Sequence, residues 1–205
     1  MTDAELLAAY LATEVHFVDA EGRECKTRSF VEGNRLAHQT TLAQSLDVSF
    51  AEAWVITAEN PFSNTLGDNA NKARNLKLQS MLAGAGFVPI KVRGISPDGQ
   101  WVENSFLVFA ENPEKADVLK NLVHRLATKF EQNAVFQFKG DQQILVGVAR
   151  PKIQGSRKYG IQFVESSLAG DSRQVIDVSN YNNLSPTQRR ALAQKIAGQV
   201  LGTNL

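Results

Sequence analysis

The 205-residue chain carries 22 Lys plus Arg against 21 Asp plus Glu, a formal net charge of +1, and is 43% hydrophobic. That balance supplies no global field for a nucleic-acid backbone or an anionic membrane, so any such contact has to be local. The length suits one main core burying roughly 70% of the unfolded surface, with room for a small annex. Cys25 is the single cysteine, which excludes an intrachain disulfide. The Met1-Thr2-Asp3 start lacks a signal peptide's basic and apolar regions, and no apolar run approaches the ~20 residues of a membrane span. A cytoplasmic protein without membrane contact is expected.

Thr2 and Glu5 form a capping-box pattern, and Leu6, Leu7, Tyr10 and Leu11 give the helix after it an apolar stripe ending near Thr13. Glu14 to Val18 and Lys26 to Val31 read as a hairpin around Asp19 to Gly22, and Asn34 is placed to cap a helix carrying Leu36, Leu42 and Leu46. Trp54 to Ala58 is a short apolar strand stopped by Pro61. The helix from Asp68 to Ala85 ends at Gly86. Phe87 to Gly94 and Val102 to Ala110 form strands joined through Ser96-Pro97-Asp98-Gly99. Asn112-Pro113 opens a helix with Leu119, Leu122, Val123, Leu126 and Phe130 on one face. Ala134 to Phe138 and Gln142 to Val148 make a hairpin around Gly140-Asp141.

Beyond Val148, Arg150-Pro151-Lys152 and Gly155-Ser156-Arg157-Lys158 read as a connection. Ile161 to Val164 and Val175 to Val178 are candidate strands, and Ser185-Pro186-Thr187-Gln188 starts a last helix with Leu192, Ile196 and Val200. From Trp54 the order is β-α-β-β-α-β with an extra strand. The expected fold class is therefore α+β, a ferredoxin-like split β-α-β sandwich. Its core spans 53–148 of a domain spanning 1–148, and 149–205 forms a C-terminal extension packed on it or a small annex.

Following chain direction through this order collects polar residues at one end. Asn60 and Ser63 follow the first strand, Asn69, Asn71, Arg74 and Asn75 lie in the first turns of the helix, Glu103 and Ser105 begin the hairpin strand, and Gln132-Asn133 follow the second helix. Asn71, Arg74 and Asn75 continue the face of Leu78 and Leu82, and Glu103 and Ser105 share strand parity with Leu107 and Phe109. Buried polar groups cost roughly 1–3 kcal/mol unless paired, so the cluster implies mutual hydrogen bonds, water or a ligand. Taken singly, each has a plainer role: Asp68 or Asn69 as a helix cap, Asn60 as a turn former, Glu103 as a lysine partner, Arg74 as a surface residue.

The stretches Ile56-Thr57-Ala58, Asn60-Pro61 and Ser63, Asn69, Trp101, Glu103, Ser105-Phe106-Leu107-Val108 and Gln132-Asn133-Ala134 resemble a bacterial domain-of-unknown-function family, number 3293. The resemblance runs over roughly residues 5–148 and implies no established reaction.

His16, His38 and His124 lack ligand spacing, so no metal is expected, and no Walker, dinucleotide or Gly-x-Ser-x-Gly motif calls for a cofactor. Cys25 sits in a strand without a nominated base. Helix N-terminal amides with Arg74 would favour an anion, and Asn60, Asn69 and Asn71 suit amide, sugar or base edges. Glu103 is the one carboxylate placed as a general base. The expectation is a site that binds or hydrolyses a small polar, phosphorylated or nucleotide-like ligand. The alternative is a non-catalytic module docking a protein or RNA through 150–205, where Lys152, Arg157 and Lys158 supply local charge.

Overall fold

A computed structural model describes residues 1–20, 22–29 and 41–164. The expectations for Asn34 and Leu36, for Val175 to Val178 and for the helix after Ser185 lie outside the described residues. Helix α1 (Asp3–Ala12) opens with the expected capping box, the Glu5 amide donating to Thr2 Oγ1 and the Thr2 amide to Glu5 Oε2. Strands β1 (Glu14–Val18) and β2 (Glu24–Ser29) pair around a turn in which Gly22 takes a φ of +81°. β2 begins two residues earlier than its apolar pattern implied. Helix α2 (Leu42–Ser45) is one turn long, opened by a Thr41–Gln44 capping box.

Strand β3 (Glu52–Ile56) leads through a 3-10 turn (Pro61–Ser63) into α3 (Asp68–Gly84), which Gly86 terminates at a φ of +88°. Strands β4 (Ile90–Ile95) and β5 (Val102–Ala110) precede α4 (Pro113–Lys129), where the Lys115 amide donates to the Asn112 side chain as an N-cap. Strands β6 (Ala134–Lys139), β7 (Gln142–Gly147) and β8 (Gly155–Phe163) complete the order.

The sheet is a closed eight-stranded antiparallel barrel in the order β1-β2-β8-β7-β6-β3-β5-β4, not an α+β ferredoxin-like sandwich. The β-α-β-β-α-β segment supplies the wall β6-β3-β5-β4, and an open sheet of that kind would leave β6 and β4 as edges. Neither is an edge here. β6 pairs with β7, and β4 with β1 through Glu14↔Ile95, Val15↔Gly94 and His16↔Arg93. The stretch read as a connection at Gly155 is β8, which bridges β2 and β7. Its small and polar residues hid it: Gly155 lies where Leu7 and Leu11 of α1 pack, and a Cβ there would stand 3.4 Å from a Leu11 methyl.

Strand parity sorts the core into two layers. Val15, Phe17, Cys25, Ala53, Val55, Leu107, Phe109, Phe136, Phe138, Leu145 and Tyr159 fill the barrel. Trp54, Ile56, Phe106, Val108 and Val135 point outward beneath Leu78 and Leu82 of α3 and Leu119, Val123 and Leu126 of α4. A wall buried on both faces reads as a continuous apolar run, which is why Glu52–Ile56 is buried at every position. Each fully buried large side chain, such as Phe138, contributes roughly 1.5–3 kcal/mol. Among the described residues no helix is long and apolar enough to cross a membrane.

The end of the barrel where β3, β4 and β7 finish and β1, β5, β6 and β8 start carries α1, the 57–67 loop and the α4–β6 turn. Tyr10 of α1 meets interior Phe136 edge-on, with ring centroids 6.4 Å apart.

Candidate functional site

Beyond Ile56 the chain leaves its ladder, and every peptide group in the exit needs a new partner. The asparagines supply them. The Ala58 amide donates to Asn75 Oδ1 (2.9 Å) and the Asn60 amide to Asn71 Oδ1 (3.0 Å). The Glu59 amide donates to Thr57 Oγ1, whose hydroxyl donates to the Asn104 carbonyl. The carbonyls are met by cationic and amide donors: Arg74 Nε on Ala58 O (2.6 Å), Arg74 Nη2 on Phe130 O (2.7 Å), and Gln132 Nε2 on Glu59 O (2.9 Å) and Phe130 O (3.0 Å). Arg74 also lies over the Phe130 ring and 3.7 Å from Glu131.

Glu59 is the hub of this network. It is 5% exposed, and its carboxylate accepts from Asn75 Nδ2 (2.8 Å), Asn104 Nδ2 (3.0 Å) and the Asn104 amide (3.0 Å). These donors tie α3 and β5 to the strand exit. The loop after it is strained: Asn60, Phe62, Ser63 and neighbouring Glu131 all adopt left-handed φ of +46° to +61° without being glycine. Each such residue costs on the order of 1 kcal/mol, and clusters of them mark sites where surrounding contacts impose a conformation. Asn60 Oδ1 accepts from Asn71 Nδ2 and the Leu66 amide, and the Phe62 amide donates to Glu131 O.

Glu103 touches that network through the Asn60 side chain. Its half-buried side chain accepts from Asn60 Nδ2 (3.0 Å) at Oε1. Burial pushes its carboxyl up to about 7, the Glu59 charge adds to the rise, and bonds from Asn60 and Trp101 oppose it. Close by, Tyr10 OH lies 3.5 Å from Ser63 Oγ, which accepts from Asn133 Nδ2 at 2.8 Å. Burial raises the Tyr10 pKa and the Glu103 charge raises it further, against bonds from Ser63 and Asn133. Asn133 is 2% exposed, and its Oδ1 has no hydrogen-bond partner. A buried carbonyl in that state costs about 1–3 kcal/mol.

The residues expected to converge divide into three sets. Asn60, Ser63, Glu103 and Asn133 meet at the barrel end, with Ser105 buried two residues further along the inward pleat. Asn71, Arg74, Asn75 and Gln132 lie at the same end, on α3 and the α4–β6 turn, and bond chiefly to main-chain groups, with Asn71 also donating to Asn60 Oδ1 and Asn75 to Glu59. Asn69 is exposed on the first turn of α3, whose N-cap is Gly67. Sequence reasoning missed Glu59, Asn104 and Tyr10. Glu59 had a visible signal, a carboxylate directly after an apolar strand; Tyr10 had none, because its spacing matched the apolar stripe of α1.

Among the described residues no group of three or more His, Cys, Asp or Glu is arranged to hold a metal. The model of a family described as "Protein of unknown function (DUF3293)" matches residues 56–135. This segment is DUF3293-like. The match is narrower than the 5–148 expected and runs from the end of β3 to the start of β6, so it contains every residue nominated above from Asn60 to Asn133. Tyr10, β7 and β8 lie outside the DUF3293-like segment. Neither the curated proteins nor the solved structures gave a match.

Proposed function

We propose that the barrel end formed by Tyr10, Asn60, Ser63, Glu103 and Asn133 binds a small polar ligand, and that Glu103 exchanges a proton with it. The observation that carries this reading is the setting of Glu103: a half-buried carboxyl raised to about 7, bonded by Asn60 at Oε1, whose charge reaches the Tyr10 hydroxyl that lies 3.5 Å from Ser63 Oγ. A carboxyl with a pKa near 7 both accepts and releases a proton at neutral pH, as a general base or acid requires. Arg74 contributes by fixing the strand exit, since its Nε and Nη2 are held by Ala58 O and Phe130 O. That leaves a phosphate without the guanidinium expected to receive it.

The test is a thermal-shift panel of sugars, amides, amines, nucleotides and phosphorylated metabolites against the wild type, Glu103→Gln and Tyr10→Phe. A ligand at 100 times its Kd adds about 2.7 kcal/mol, roughly 5–10 °C for a chain of this size. A shift seen in the wild type and lost in Glu103→Gln is the expected result. Shifts of equal size in the wild type and both variants would move the binding site elsewhere.

A further inference from the structure

We infer that the ligand taken at this barrel end bears an ammonium or comparable cationic N–H group, an assignment that rests on the binding reading above and narrows it to one chemical class. The charge inventory is one-sided. Arg74 faces Glu131, and Arg150 is paired with Asp3 at 3.1 Å. Glu59 and Glu103 have no cation within ion-pair distance among the described residues, and the donors on both are neutral amides and the Trp101 indole. Two neighbouring carboxylates without a counter-charge repel one another, and a cation placed between ligand space and Glu103 relieves that repulsion.

The uncharged groups point the same way. Asn133 Oδ1 is a buried acceptor in need of a donor, and an ammonium or amidinium has only donors to offer. Tyr10 lines the interior side, while Trp101 stands at the rim, 37% exposed. Asn133 makes this more than an acidic cluster: its unpaired oxygen sits on the residue that bonds Ser63, next to Tyr10.

The experiment follows the two tryptophan indole N–H signals of the full chain by NMR while 1,4-diaminobutane is titrated in, with 1,4-butanediol and inorganic phosphate as controls. Trp54 is 1% exposed and bonded to Glu52, so it serves as the internal reference for Trp101. The inference expects the Trp101 signal to move saturably with the diamine, at least tenfold more weakly in Glu103→Gln, with the diol and phosphate leaving it unmoved. Saturation by the diol or phosphate that depends on Glu103 would overturn the cationic assignment while leaving the binding reading standing. An unmoved Trp101 signal with all three probes overturns this inference too, and the wider thermal-shift panel then decides separately whether the end of the barrel binds anything.

Discussion

Replacing Arg74 by alanine separates a structural guanidinium from a ligand-binding one. Arg74 donates at 2.6 Å to Ala58 O and at 2.7 Å to Phe130 O, joining the β3 exit to the last turn of α4 through a residue of α3. Hydrogen bonds involving a charged group contribute roughly 1.5–3 kcal/mol each, and truncation leaves Ala58 O unmet while Phe130 O keeps only its bond from Gln132 Nε2. Water reaching the exposed quarter of the site recovers part of that, so the expected loss is about 2–4 kcal/mol. At about 3 °C per kcal/mol for a protein of this size, Tm falls by about 6–12 °C. Arg74→Lys is expected to recover less than half, because one ammonium cannot span both carbonyls and stack on Phe130. Urea unfolding followed by tryptophan fluorescence measures the difference. A loss below about 0.5 kcal/mol, or full recovery by lysine, would refute the account of the strand exit.

Glu103 has a carboxyl pKa raised from 4.5 to about 7 in the folded protein, so stability conferred by its protonated form is lost as pH rises from about 4.5 through 7. The shift corresponds to at most about 3 kcal/mol, discounted to about 1–2 kcal/mol for residual solvent access. Glu103→Gln should therefore gain that amount relative to the wild type between pH 5 and pH 8 in urea melts, and parallel pH profiles would count against it. Gly147→Ala should destabilise by more than about 2 kcal/mol, since a Cβ there collides with the Arg150 carbonyl and stands 2.8 Å from that of Ile153; an unchanged melting curve would contradict the tight β7–β8 turn. A chain ending at residue 154 lacks β8, stripping β2 and β7 of their ladder partner, and should lose its cooperative transition by calorimetry, whereas a sharp transition near the wild-type Tm would show that the barrel does not need it.

Much of the local structure was legible in the residues. Caps at Thr2 and Asn112, the Gly86 stop, strand β5 and the buried stripe of α4 each rest on short-range chemistry that a single segment carries. Barrel closure was not legible, because it depends on β4 meeting β1 across some 80 residues of chain and on β8, whose Gly, Ser, Arg and Lys content imitates a loop. One of that strand's inward positions is charged: Arg157 sits inside, donating to the carbonyls of Leu11 and Thr13 at the end of α1 and to Gln143 Oε1. The same limit applied to the site. Chain direction collects Asn60, Ser63, Glu103 and Asn133 at one end, but a barrel wall separates side chains that an open sheet would have placed together. Asparagines 71 and 75 thus serve the strand exit, while Glu103 faces the barrel end.

The state of Glu103 underlies the functional reading, and it is open to direct observation. A carbon-detected NMR titration of glutamate side-chain carboxyls, with the Glu103 signal assigned from Glu103→Gln, is predicted to show a midpoint of about 7. A midpoint between 4 and 5, in the range of an ordinary solvated glutamate, would contradict the proposed proton exchange at this barrel end.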